Sequence, residues 1–244
     1  MSAGQDPIMI IGPGIPPAGR VATVEAVPIP EPDFEVLGVR PLKHAAAPML
    51  MVDLEVRDSS GLEVYMIALT VQLMIEPARR TYDDATRVKL MELFGPPERW
   101  SVTTRSLVWT RLDVLVPSFT GSTTVSIPLS CHYDLELAAT KYLHSLPEGQ
   151  APCAMHFNGT IYYKDERGAL QMVLVPWSAS IDFKLPVEVW QTTIDHYYPN
   201  TAWVGMRTQT LEALQQRKLT LGASTVDSAI EMLLEQTAEE PADA

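Results

Sequence analysis

In MLMVDLEVR, residues 49–57, Leu50, Val52, Leu54 and Val56 fall on one side of an extended chain, and Asp53, Glu55 and Arg57 fall on the other. That alternation predicts a half-buried antiparallel strand. The polar run RDSSGLE supplies a turn. EVYMIALTVQLMI follows, with Tyr65, Ile67, Leu69, Val71, Leu73 and Ile75 on one face. Its other face carries Val64, Met66 and Ala68, so the expectation is a central strand covered on both sides. DDATRVKLMELF breaks the alternation. Val88, Leu90, Met91 and Phe94 suit a short helix stopped by Gly95 and the prolines after it.

Strands resume in VWTRLDVLV, where Val108, Leu112, Val114 and Val116 line one side. The strictest alternation runs over residues 124–137, and Pro128 within it calls for an edge strand or a bulge. CAMHFNGTIYYK, LQMVLV and SIDFKL complete the series. Seven or eight strands separated by turn signals predict a mainly β chain, an antiparallel β-sandwich over residues 34–185 with one short inserted helix. After Leu185 the period becomes helical. Val187, Trp190, Ile194 and Tyr197 share a face of a helix opening at Pro186. RTQTLEALQQRKL is a second, weaker helix. Ser224, as N-cap, opens a third that carries Val226, Ala229, Ile230, Leu233 and Leu234. Residues 186–236 are therefore expected to be a segment of about three helices packed on the sandwich.

Composition changes the picture at the two ends. Residues 1–33 hold seven of the 20 prolines and read as a mobile arm. Its GPGIPPAG is no phosphate loop, because proline removes the amides such a loop needs. Residues 237–244 read as an acidic disordered tail. The net charge of −12 argues against nucleic acid or an anionic membrane surface as partner. No stretch approaches the roughly 20 apolar residues of a spanning helix, and the N-terminus is a poor signal peptide. The expected location is the cytoplasm. Two cysteines make no disulfide framework.

The candidate chemistry is sparse. Cys131, His132, Cys153 and His156 are zinc-ligand types, yet in each cysteine–histidine pair the strand period puts the cysteine and the histidine on opposite sides. Core cysteines with surface histidines is the preferred reading, with no metal and no cofactor. No serine stands in a nucleophile elbow, and neither cysteine has an activating context. Asp195 and His196 in DHYYPNTAWV look catalytic, but adjacent helical residues point about 100° apart. No catalytic residue is assigned. Trp100, Trp109, Trp177 and Trp203, with Arg111 beside Trp109, are candidates for a protein-binding surface. Here Trp109 is expected on the strand face of Arg111 and Asp113, opposite Val108 and Leu112. His132, Asp134, His156, Asp195 and His196 are candidates for a pocket between the sheet and the C-terminal helices.

The words RRTYDDATRVKLMELFGPPERWSVTTRSLVWT, VPSFTGSTTVSIPLSCHYDLELAATKYLHSL, FNGTIYY, VPW, LPVEVW and DHYYPNTAW resemble the domain-of-unknown-function family 6084 over most of residues 34–236. Two words depart from that pattern. VPWSAS has no charge directly after its Trp, and Val226 stands where an aromatic is common. Members of the family are often encoded beside nickel–iron hydrogenase genes. The resemblance therefore implies an accessory or assembly role exerted through contact with a hydrogenase subunit or maturation factor. The contrasting expectation is a small-ligand-binding protein or enzyme using the pocket just named.

Overall fold

The computed structural model describes residues 28–131, 137–201 and 203–239. Residues 1–27 of the expected 1–33 arm, residues 132–136 with His132 and Asp134, Ala202 and residues 240–244 lie outside it. The described residues are mainly β, with two antiparallel sheets and six α-helices. The strands are β1 (Asp33–Pro41), β2 (Met49–Arg57), β3 (Glu63–Ile75), β4 (Leu107–Val116), β5 (Ser122–Ser130), β6 (Gln150–Lys164), β7 (Leu170–Leu174) and β8 (Ser180–Pro186). The helices are α1 (Asp84–Phe94), α2 (Trp100–Thr103), α3 (Ala138–Ser145), α4 (Val187–Tyr197), α5 (Thr208–Leu221) and α6 (Val226–Glu239).

One sheet has the order β1-β2-β5, the other β4-β3-β6-β7. The early part of β6 also pairs with β8, and its later part with β7. β5 stands at a sheet edge, which is where Pro128 is tolerated. The predicted inner face of β2 is fully buried, and it shares one apolar core with Ile67, Leu69, Val71, Leu73 and Ile75 of β3. Phe34 of the smaller sheet stacks on Phe157 of the larger at 4.1 Å between ring centroids. Leu90 and Phe94 of α1, Tyr142 and Leu143 of α3, and Trp190 and Ile194 of α4 extend the same core.

Two bulges change the expected faces. β3 slips register against β6 between Val64 and Met66, so Val64 is buried while Tyr65 turns out to 50% exposure. β3 slips again against β4 between Leu73 and Met74, where Trp109 is the unpaired residue. The extra residue reverses the alternation. Trp109 thus packs against the core instead of lying beside Arg111 and Asp113, and Val108 is 59% exposed instead of inward. Nor is β3 covered on both sides. Ala68 is exposed, and Met66, Thr70, Gln72 and Met74 are only half-buried.

Helix ends follow local chemistry. The Asp83 carboxylate caps α1 by accepting from the Thr86 amide at 2.7 Å. Gly95, at φ +75°, ends that helix, and its amide donates to the Met91 carbonyl. The inward residues of α1 are Thr86, Leu90 and Phe94, whereas Val88 and Met91 are exposed. α4 begins at Val187, with Pro186 closing β8 instead of opening the helix. α6 is capped one residue later than predicted. Thr225 and Ser228 exchange side-chain-to-amide hydrogen bonds at 3.0 Å, leaving Ser224 outside the box. α3 is an additional helix, in a stretch where the sequence gives no clear period.

Candidate functional site

The outer face of the larger sheet is assembled from cross-strand partners. At one end Arg111, Gln72, His156 and Ser180 form a row across β4, β3, β6 and β8. The Arg111 guanidinium donates to the Gln72 side-chain oxygen at 2.6 Å. In the next row the Thr70 hydroxyl donates to Asp113 at 2.6 Å, with Asn158 beyond. The face then turns apolar. Leu115, Ala68, Thr160 and Leu174 make one row, and Met66, Tyr162 and Met172 make another.

Along that apolar end, Leu115 is 64% exposed, and Met172 and Leu174 are each 72% exposed. Leu170 joins them on β7 at 59%. Pairing of Ile161 with Val173 fixes this parity: Ile161 is buried, so Val173 points inward and its neighbours point out. The far edge of β7 has no strand partner among the described residues. Trp177, just past β7, is 97% exposed. Contiguous apolar surface of this kind on an exposed sheet marks a contact site more often than a scattered single residue does.

The other sequence candidates separate. The indole N–H of Trp100 donates to the Gly95 carbonyl at 2.7 Å, and its ring meets Tyr82 and Phe94 edge-on, which makes it a structural residue of the α1–α2 corner. Trp203 is 56% exposed and lies edge-on to Tyr198 at 5.9 Å, so it does not dock the helices on the sheet. Trp190, 2% exposed, does that work. The helix containing Asp195 and His196 runs on to Tyr197, so the two side chains diverge; both are exposed, and His196 leans on the Tyr197 ring. His156 stands on the outer sheet face beside Gln72 and Arg111. It is therefore grouped with Arg111 and not with Asp195.

A second feature is a cleft of about 470 Å³ lined by His144, Trp190, Gln191, Asp195, Asn200 and Thr201. It holds Asp195 together with residues that the sequence did not single out. His144 comes from the end of the unpredicted α3, and Asn200 takes the left-handed turn after Pro199, at φ +51°. The Gln191 amide donates to the Leu146 carbonyl at 2.8 Å, and the Tyr197 hydroxyl donates to the Ala45 carbonyl at 2.7 Å, which fixes the cleft walls. His144, Asp195, Asn200 and Thr201 are all open to solvent.

Both thiols are buried and free, Cys131 at 6% and Cys153 at 1% exposure. Burial pushes each thiol up to about 12, the opposite of an activated nucleophile. Among the described residues no three His, Cys, Asp or Glu side chains cluster in a way that could hold a metal ion. No described helix is long and apolar enough to cross a membrane.

Comparison with known proteins adds little on chemistry. Similar solved structures include the putative ApaA protein from Bordetella pertussis, 12% identical over 65% of this chain and 95% of that one, with a TM-score of 0.26. A CARDB domain from Pyrococcus furiosus in complex with di-metal ions is 10% identical over 65% and 94%, also at a TM-score of 0.26. A β-glucosidase from Kluyveromyces marxianus is 8% identical, covering 64% of this chain but 15% of the enzyme, at a TM-score of 0.23. Likeness of this degree supports no conclusion about fold or activity. No curated protein matches the chain. The match that spans it is to a sequence family, over residues 29–242, and on that basis the chain belongs to the Family of unknown function (DUF6084).

Proposed function

We propose that this chain is a non-catalytic accessory or assembly protein of the cytoplasm that acts through protein–protein contacts. Its two sheets serve as a β-sandwich platform, and the partner is a nickel–iron hydrogenase subunit or maturation factor. The observation that carries the contact reading is the open apolar end of the larger sheet, where Leu115, Met172 and Leu174 are each more than 60% exposed. Three further features support it. The polar rows beside that patch already satisfy one another, as Arg111 with Gln72 and Thr70 with Asp113. The thiols are held protonated. Among the described residues no paired acid and base groups meet at a buried point. The choice of hydrogenase as partner rests on the sequence resemblance alone.

The test is affinity capture from a native host, using the tagged chain and its Met172→Lys/Leu174→Lys variant. The expected result is recovery of a hydrogenase subunit or maturation protein by the parent chain, reduced at least tenfold by the variant. Recovery of neither, with unchanged hydrogenase activity in a deletion strain, overturns the reading. The cleft between α3 and α4 favours a second reading, a small-ligand site beside the C-terminal helices, although none of its lining residues comes from a sheet. Its solvent-open polar lining resembles a surface groove more than the enclosed, largely apolar pocket that small ligands favour. A ligand that raises the melting temperature of the parent chain but not of an Asp195→Ala/Asn200→Ala variant would make this the correct reading.

A further inference from the structure

α5 and α6 form a helical hairpin that stands apart from the core. Gly222, at φ +67°, ends α5, and residues 222–225 turn the chain into α6. Leu214 and Leu221 of α5 and Val226, Ile230 and Leu233 of α6 are half-buried. Among the residues of the two helices whose burial is described, only Ala229 is fully buried, and none belongs to the core shared by the sheets. At 100° per residue, Ala229, Leu233, Val226, Ile230 and Leu234 cover an arc of about 140° on α6. A single neighbouring helix cannot cover so wide an arc. Leu234 accordingly remains 64% exposed, with Leu219 of α5 at 73% and Leu211 at 38%.

The two helices also carry opposite charge. Arg207 stands at the N-cap position of α5 without a side-chain cap, and Arg217 and Lys218 lie near the end of the helix, against one acid, Glu212. α6 carries Asp227, Glu231, Glu235 and Glu239 and no basic residue. Among the described residues no ion pair joins α5 to α6. Two-helix hairpins of this length are marginal alone, and the common way to complete them is a four-helix bundle.

We infer that this hairpin pairs with the same hairpin of a second copy of the chain, across a two-fold axis. The helices then alternate as α5, α6, α5 and α6 around the bundle. Each basic helix lies between two acidic ones, and like-charged helices sit on the diagonals. A hairpin about 21 Å long and about 20 Å wide offers a footprint of about 400 Å² per copy. Doubled, that is about 800 Å² in all, below the roughly 1,000 Å² that a stable interface clears, so the contact is a transient one and the dimer dissociates on dilution. This inference is independent of the sheet face proposed above.

Sedimentation equilibrium on the full chain tests it. The mean mass should climb from 27.0 kDa toward twice that value between about 1 and about 100 µM. Arg217→Glu/Lys218→Glu makes both helices acidic, and Glu231→Lys/Glu235→Lys/Glu239→Lys, which leaves Asp227 as the one acid of α6, makes both basic. Each variant alone should remain a single chain. An equimolar mixture of the two should dimerise, because attraction then exists only between chains and not within one. Leu234→Ala, which alters an exposed side chain, should raise the dissociation constant at least fivefold. A parent chain of one-chain mass at about 100 µM overturns the inference. So does an unaltered constant in Leu234→Ala, or a mixture that stays monomeric while both variants keep their helical circular dichroism.

Discussion

Replacing Gly159 by alanine probes the joint on which the larger sheet depends. Gly159 lies opposite Leu69 on β3, where β6 passes from pairing with β8 to pairing with β7, and its carbonyl accepts from the Val175 amide. A Cβ at this position would stand 2.1 Å from the Ala68 carbonyl oxygen and 3.1 Å from the Leu69 Cα. Both neighbours are backbone, so no side chain can swing aside. To reach ordinary contact at 3.4 Å, the strands must part by about 1.3 Å, enough to break the adjacent N–H···O bonds. Two lost ladder bonds at about 1 kcal/mol each, with about 1 kcal/mol or more of overpacking, give a loss of about 3 kcal/mol. For a chain of this size that lowers the melting temperature by about 6–12 °C.

Thermal and urea unfolding followed by circular dichroism would read this loss. Gly38→Ala is the matched control. Nothing lies within 4 Å of a Cβ there, and β1 already bulges at that point. The control should be neutral or stabilising by about 0.5 kcal/mol, through the lower entropy of the unfolded chain. A Gly159→Ala protein within about 1 kcal/mol of the parent would refute the β3–β6 register and the sheet face built on it.

Two further outcomes follow from burial. Trp190→Ala should cost about 3–5 kcal/mol in urea unfolding, and Trp177→Ala should stay within about 0.5 kcal/mol; equal losses would contradict the assigned exposures. Cys131 and Cys153 should resist a thiol-specific disulfide reagent in the native state at pH 8 and react once unfolded. Because burial raises both thiols to about 12 from 9.0, the unfolded chain loses these protons first. Their contribution is thus fully present below pH 9 and is lost as pH rises from 9 toward 12. Cysteine-to-serine replacements should flatten that part of the pH–stability curve, and an unchanged slope would contradict the burial.

The hydrophobic pattern alone determined where most elements lie. Alternation located β2, β3 and β5, and the 3.6-residue period located α4 and α6, because one-sided burial leaves its period in the chain. Pro128 called for an edge strand or a bulge, since a missing amide is tolerated only where no ladder needs it, and β5 takes the edge. The absence of an Asp195–His196 dyad followed from helix geometry before any coordinates, and α4 extends through both residues.

Tertiary structure decided which residues face inward at the start of β3 and the start of β4. The bulges at Tyr65 and Trp109 depend on the partner strand, and one inserted residue reverses every side chain beyond it. Nothing local marks Leu170, Met172 and Leu174 as outward; their parity comes from Ile161 across the ladder. The cleft beside α4 joins His144 and Asn200, residues 56 apart in sequence, through packing alone. The cap of α6 went to Thr225 over Ser224 because two adjacent hydroxyls offer the same chemistry, and only the direction of the entering chain selects between them. Local periodicity records that a face is buried, whereas what lies against that face is a property of the assembled sheets.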